Sequence, residues 1–347
     1  MMTIRDVAEK ANVSITTVSM VLNGKPVRVS EEKKKAVFQA AKALGYQKRH
    51  NEKHNACKPI PTFGLIIPDI CSPYFSALAK GILMEAKKSD YDLLVYDSDN
   101  KSEQDLKNLI SLQQKGVEGI ILALSGEVSN DLRQLTDRIA QSDRIPIVLI
   151  DRDNPLYNSH AVVVNHQNGS MLATEHLLQL GHQRIGFING SSRLKVSKDR
   201  LLGYHAAFER QNLEYEKSWI VEGDYQISSG YELSEKLLKQ KVTAIFAGND
   251  MIAFGVYKRL RELGLRIPED LSLVGFDDVL YADFLDVPLT TVRQPVSEMG
   301  KQAVHLLLEY GGRPDAREKT VLVLQPELVI RKSTMPAEGW KPSAIMY

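Results

Sequence analysis

From Phe63 to Phe276, short apolar runs of strand length alternate with longer stretches of helical period. This alternation restricts the chain to one broad architecture. The predicted strands are Phe63–Ile67, Leu93–Tyr96, Gly119–Leu122, Ile147–Ile150, Ala161–Val164, Ile185–Ile188, Ala244–Ala247 and Leu271–Phe276. The intervening periodicity predicts helices over Tyr74–Lys88, Ser102–Lys115, Gln167–Leu180, Arg200–Arg210, Ser229–Lys239 and Met251–Leu263. Strand–helix alternation builds parallel sheets covered by helices, with ligand sites at the C-terminal strand ends. There are too many units for one compact sheet. The natural division is therefore two doubly wound parallel α/β lobes around a cleft.

The segment before Phe63 has a different character. The whole chain carries a net charge of +1, but residues 1–58 hold twelve basic residues against five acidic ones, leaving −6 for the rest. A basic head on an acidic body suits a polyanionic partner, although a solvated lysine-rich face has the same composition.

The local pattern decides between them. Thr3 with Asp6 reads as a capped helix start, followed by Ile4, Val7, Ala8 and Ala11 on one face. After a turn at Asn12-Val13, Ser14 caps a second helix to about Leu22, with Asn23-Gly24 as its stop. Ser30-Glu31-Glu32 opens a third helix whose apolar side is Ala36, Val37, Ala40, Ala41 and Leu44. Two short helices joined by a tight turn and buttressed by a third make an all-α helix-turn-helix head. In that arrangement Ile15 and Thr16 face base edges, with Met20 one turn below. The hydroxyls of Thr3, Ser14, Thr17 and Ser19 suit phosphate oxygens.

Thr3-Ile-Arg-Asp-Val-Ala8, Val13-Ser-Ile-Thr-Thr-Val-Ser19, Val21-Leu-Asn23, Val29-Ser30 and Ala43-Leu-Gly-Tyr46 closely resemble the head of LacI/GalR-family transcriptional regulators. The resemblance implies a homodimer on double-stranded operator DNA. It makes Ile15 and Thr16 the specificity pair and adds Asn23 to the contacts. Two departures stand out. Met20 occupies a position where the family usually has arginine, and a thioether cannot make the bidentate guanine contact. After Tyr46 the usual hinge pattern is absent: Glu52 falls near phosphates, and Asn55 takes the place of the leucine wedge. An atypical operator, or weaker binding than relatives show, follows, with a salt-sensitive share of binding carried by Arg28, Lys48, Arg49 and Lys53. The usual kinked central CpG step is not expected.

The resemblance extends through the body to about residue 333, on Ile66-Ile-Pro-Asp-Ile70, Gly116-Val-Glu-Gly-Ile120, Gly181-His-Gln-Arg-Ile-Gly186, Arg200-Leu-Leu-Gly-Tyr204, Gly248-Asn-Asp250, Val274-Gly-Phe-Asp-Asp278 and Leu289-Thr-Thr-Val-Arg-Gln-Pro295. It implies the fold of periplasmic sugar-binding proteins, with three chain crossings between lobes. The division becomes a helix-turn-helix domain over 1–47, a linker with an atypical hinge over 48–62, a two-lobed effector-binding and dimerisation core over 63–333, and a loosely ordered tail over 334–347.

Polar residues gather where the predicted strands end, and Arg200 falls at a predicted helix start. Carboxylates, amides and guanidinium groups beside flat aromatic walls suit a polyhydroxylated ligand. Capping of the following helices accounts for Asp, Asn and Ser at such positions equally well, residue by residue. By position, the resemblance assigns Asp69, Tyr74, Phe75, Asp151, Arg152, Arg200, Tyr225, Asn249, Asp277 and Gln294 to the effector. That effector is a sugar or sugar phosphate.

Other classes find little support. There is no G-x-S-x-G elbow, P-loop or G-x-G-x-x-G after a strand, so no catalytic residues are assigned and no enzyme is expected. The histidines lack metal-ligand spacing, and Cys57 and Cys71 cannot build a disulfide scaffold. No metal or cofactor is expected. The absence of an apolar leader and of any ~20-residue apolar run points to a cytoplasmic chain off the membrane. The alternative is a cytoplasmic or transport-type solute-binding protein, which fits the body but leaves the basic head without a purpose.

Overall fold

Thr3 opens the chain's first helix, α1 (Ile4–Lys10), by donating its backbone N–H to Asp6 at 2.6 Å and its hydroxyl to the same carboxylate oxygen at 2.9 Å. Asn12, in the left-handed region at φ 48°, turns the chain into α2 (Ile15–Leu22). Ser14 caps α2 by accepting from the Thr17 N–H at 3.1 Å. Ser30 does the same for α3 (Glu31–Ala43). The apolar sides of the three helices meet at Val7, Val18 and Val37, all fully buried.

In this computed structural model, the residues described are 3–22, 26–27, 29–44, 46, 60–125, 145–152, 159–310 and 319–337. They divide into two compact units, Met1–Pro59 and Ile60–Tyr347.

The larger unit holds two six-stranded sheets. The first contains β1 (Thr62–Ile67), β2 (Asp92–Asp97), β3 (Gly119–Leu122), β4 (Ile147–Ile150), β5 (His160–Val164) and β11 (Val321–Leu324), in the order β11-β5-β4-β3-β1-β2. The second contains β6 (Ile185–Asn189), β7 (Ile220–Glu222), β8 (Ala244–Ala247), β9 (Ser272–Asp277), β10 (Thr290–Arg293) and β12 (Glu327–Val329), in the order β12-β10-β9-β8-β6-β7. Among the described residues, only the β10–β12 pairing is antiparallel. Strands β3, β4, β8 and β9 are buried throughout, as apolar runs covered on both faces must be.

The helices α4 (Pro73–Lys88), α5 (Ser102–Lys115), α6 (His166–Gln179), α7 (Lys195–Arg210), α8 (Ile227–Lys239), α9 (Asp250–Glu262) and α10 (Val296–Tyr310) cover these sheets. Packing of α8 on α9 needs glycine on both sides. A Cβ on Gly230 would sit 1.9 Å from the Ile252 carbonyl, and one on Gly255 would sit 2.0 Å from that of Ile227. On the second sheet Phe187 stacks on Phe246 at a centroid separation of 4.7 Å and on Tyr204 of α7 at 5.3 Å.

Among the described residues the chain passes between sheets at Asn165, at Gln294-Pro295 and at Gln325-Pro326. Asn165 and Asn168 both donate to Gln325 Oε1, tying the first crossing to the third.

The structure corrects the sequence reading in several places. Strands β7, β10, β11 and β12 and helix α10 were not anticipated. The four strands are three or four residues long, too short for a period to stand out, and they join sheets only through distant partners. Helix α7 begins at Lys195, so Arg200 lies in its second turn and not at its start. Asp277 ends β9 instead of following it. The tail does not loosen at Thr334. His176 bonds Thr334 at 3.0 Å, His182 bonds the Met335 carbonyl at 3.0 Å, and Ala337 donates to the Leu180 carbonyl at 2.8 Å.

Candidate functional site

Both sheets reverse their strand order once, between β1 and β3 and between β6 and β8. The crevices at such switch points, beyond the C-terminal strand ends, are where open α/β sheets bind ligands. Here the strand ends of the two sheets face one cavity of about 210 Å³. That is smaller than the ~300–1,000 Å³ typical of drug-sized ligands. Its lining includes Asp69, Tyr74, Phe75, Asp151, Arg152, Arg200, Tyr225, Asn249, Asp277 and Gln294. The ten positions expected from sequence therefore come together. Cys71, Ser72, Asn100, Leu194, Val196, Asp224, Gln226 and Met251 complete the wall and were missed. Asn100 and Asp224 obey the same strand-end rule, but Asp224 follows β7, whose three residues went unread.

Two carboxylates form the floor. Asp151 accepts from the Tyr74 hydroxyl at 2.6 Å, and Asp277 accepts from the Gln294 amide at 2.7 Å. Gln294 sits on the second crossing, and its Oε1 lies 3.3 Å from the same Tyr74 hydroxyl. Residues from both sheets are thus joined in one hydrogen-bonded chain. Burial raises the Asp151 pKa and pushes that of Asp277 up to about 7, against the opposing pull of Arg200 and Gln294 on Asp277. Burial, then the neighbouring Asp151, drives the Tyr74 hydroxyl well above its ordinary range, so it stays a donor.

Two guanidinium groups face these acids, and both are braced by main chain. Arg200 donates to the Gly248 carbonyl at 2.5 Å and lies 3.8 Å from Asp277 Oδ1, a contact ion pair. It stacks on Phe276 at 3.9 Å and on Tyr225 at 5.3 Å. Arg152 donates to the Leu124 carbonyl at 3.0 Å, lies 3.7 Å from Asp151 and stacks on Phe75 at 5.4 Å.

Capping explains part of this set. Asn249 Oδ1 accepts from the Ile252 N–H at 2.9 Å to start α9, and Asp69 Oδ1 accepts from the Cys71 N–H at 2.8 Å. It does not explain Asp151, Tyr225 and Asp277. All three hold positive φ angles of 65°, 67° and 119°, which non-glycine residues adopt at a cost of order 1–3 kcal/mol. Asp278, by contrast, turns away from the cavity to Arg293 at 2.6 Å and Arg331 at 2.7 Å. The two adjacent acids diverge, so they are not an acid/base pair.

In the smaller unit, Ile15 and Thr16 are exposed at the start of α2, with Ile15 43% accessible. The hydroxyls of Ser14 and Thr17 pair with each other at 2.9 Å, and that of Thr3 is committed to Asp6. Ser19 and Met20 are half-buried. Asn23, Arg28, Lys48, Arg49, Glu52, Lys53 and Asn55 lie outside the described residues. Among the described residues, no group of three or more His, Cys, Asp or Glu is placed to hold a metal, and no helix is long and apolar enough to cross a membrane.

Comparison with known proteins adds a history to this geometry. Residues 3–48 match the bacterial regulatory proteins of the lacI family, and residues 174–334 match the periplasmic binding protein-like domain. The chain is 36% identical over 335 residues to the HTH-type transcriptional regulator DegA of Bacillus subtilis, covering 96% of this chain and 98% of that one. Its structure is similar to a LacI family transcriptional regulator of Enterococcus faecium with bound ribose (TM-score 0.70, 30% identity, 80% of this chain and 100% of that one). It is also similar to the lac repressor dimer bound to operator and the anti-inducer ONPF (TM-score 0.69, 26% identity, 96% and 99% covered).

Proposed function

The chain belongs to the lacI family of bacterial regulatory proteins, and from that premise we propose that it is a dimeric, operator-binding repressor whose cavity takes a neutral sugar-like effector. A chain that meets operator DNA in a bacterium works in the cytoplasm. Its role is regulation, with no catalysis assigned.

One observation carries the effector reading: a small cavity joins acceptors, donors and aromatic faces from both sheets, with Asp151–Tyr74 and Asp277–Gln294 as its floor. Hydroxyl groups both donate and accept, so a polyol satisfies such a mixed set. The balance of charge favours a neutral ligand over a phosphate. Among the described lining residues, Asp69, Asp151, Asp224 and Asp277 stand against Arg152 and Arg200, and each arginine already serves a backbone carbonyl. The bound ribose of the Enterococcus faecium relative agrees with this choice.

A ligand that bonds Asp277 and Arg200 on one sheet and Asp151 on the other favours the approach of the two sets of strand ends. Differential contact of this kind is the requirement for any population shift. Couplings of ~1–3 kcal/mol are enough for 5–150-fold control of operator affinity. Ile15 and Thr16 read bases, while Ser19 and the one hydroxyl proton that the Ser14–Thr17 pair leaves free address the phosphates, together with Asn23, Arg28, Lys53 and Asn55; Thr3, whose hydroxyl proton goes to Asp6, drops out of that set. Met20 and the non-apolar Asn55 make the site differ from those of relatives.

The test is a thermal-shift screen of free sugars and their phosphates on the full-length chain, followed by operator binding in a salt series with and without the hit. A stabilising free sugar that changes operator affinity is expected. Preference for a phosphate ester over its parent sugar would reverse the charge argument. Absence of preference for any duplex at modest ionic strength would defeat the whole reading.

A further inference from the structure

His166 is the first residue of α6, directly after the first crossing at Asn165. It is 3% exposed and absent from the cavity wall. Its Nδ1 lies 3.3 Å from Arg200 Nη2. Arginine only donates, so Nδ1 must be the acceptor, and the neutral ring then carries its proton on Nε2. Nε2 has no hydrogen-bond partner. It stands 4.0 Å from Asp151 Oδ1, and the Asp151 main chain favours the charged ring. A buried donor without a partner is costly, and natural structures rarely leave one unused.

The geometry gives this orphan a use. His166 touches Arg200, which belongs to the second sheet's layer, and faces Asp151, which directly follows β4 of the first. An approach of about 1 Å brings 4.0 Å to an ordinary N–H···O distance. We propose that His166 is a positioning residue for the cavity: Nδ1 anchors Arg200, and the Nε2–H is held in reserve to bond Asp151 when the strand ends close on a ligand. This deepens the effector reading above and rests on it. The charged groups acting on the ring are Arg200, Lys195 and Arg152, which oppose its protonation, and Asp151. Burial comes first among the causes and, with these cations, holds the His166 pKa well below the usual histidine range. The imidazole therefore remains neutral, as an Nδ1 acceptor requires.

The tautomer is measurable without any ligand. Nitrogen-15 spectra of the histidine side chains in the full-length protein, with His166 assigned by its loss in His166→Asn, are expected to give a neutral Nε2–H ring throughout pH 5.5–8. A ring protonated on Nδ1, or one that charges near pH 6.5, overturns the proposal. D-ribose, the sugar bound by the Enterococcus faecium relative, then probes closure. His166→Asn keeps an acceptor for Arg200 but lacks the outer donor. It is expected to bind ribose about tenfold more weakly at an unchanged melting temperature. Equal affinity would overturn the reserve-donor role. If the Asn variant does not fold, His166→Gln, which keeps an outer donor, is expected to bind ribose with near wild-type affinity, and a tenfold loss there would overturn the reserve-donor role. A wild-type chain indifferent to ribose and to other monosaccharides counts against the effector reading, while the tautomer still decides the fate of His166.

Discussion

Gln294 donates to Asp277 at 2.7 Å from the second chain crossing, so the segment that links the two sheets is also a wall of the cavity. Gln294→Ala removes the donor and leaves a buried carboxylate short of a partner. Loss of a hydrogen bond to a charged group costs ~1.5–3 kcal/mol. Urea denaturation is expected to report a loss in that range, and ligand titration a weaker effector response with operator affinity retained.

Arg200→Ala is the sharper test of the cavity. It deletes the contact with Asp277, the Gly248 carbonyl bond and the stacking on Phe276. The effector-dependent change in melting temperature is expected to vanish, at a stability cost of about 3 kcal/mol for stripping a buried pair of one partner. Arg200→Lys keeps the charge but loses the planar stacking, and is expected to fall between. An undiminished response in Arg200→Ala would remove this residue from the site.

Asp277 predicts a pH dependence. Its pKa in the folded chain, about 7, lies above the ordinary 3.8, so the folded state holds this proton more tightly than the unfolded one. Stability from this group is then fully present below pH ~4 and is lost as pH rises through about 7. Melting temperatures from pH 4 to 8 are expected to fall less steeply with rising pH in Asp277→Asn than in wild type. Identical slopes would show that this carboxyl is solvated in the folded chain.

Gly255→Ala tests the fold apart from the site. Its new Cβ would sit 2.0 Å from the Ile227 carbonyl, a backbone atom that cannot move aside cheaply. At least the ~1–3 kcal/mol typical of overpacking is expected to be lost. A neutral result by denaturant titration would mean that α8 and α9 cross less closely.

For the smaller unit, Met20→Arg is expected to gain ~1–3 kcal/mol of preference for operators with a guanine under that position. Thr16→Ala is expected to weaken binding to the cognate duplex while leaving nonspecific binding unchanged. Fluorescence anisotropy on matched and mismatched duplexes separates the two effects. If Thr16→Ala weakened both duplexes equally, the residue would be a phosphate contact instead.

The elements were legible wherever period and length were sufficient. Gly119–Leu122, Ile147–Ile150, Ala244–Ala247 and Ser102–Lys115 form with the bounds read from sequence, because a continuous apolar run or a three-turn amphipathic helix carries its own signal. The ten cavity positions were legible only through family resemblance. Their residue types alone left helix capping equally open, and for Asn249 and Asp69 capping is indeed part of the answer.

What sequence by itself determined was local: which segments become strand or helix, that the basic head is helix-turn-helix, and which family supplies the frame. What tertiary structure alone decided was convergence. Tyr74 reaches Asp151 across 77 residues of chain and Gln294 across 220, separations over which no periodicity extends. The same holds for the left-handed turns that aim Asp151 and Asp277 into the cavity, and for His166, whose neighbours Arg200 and Asp151 are brought to it by the meeting of two sheets. Local structure follows from near-neighbour sterics and hydrogen bonding. A site assembled from several strand ends exists only after distant segments have paid the entropy of meeting.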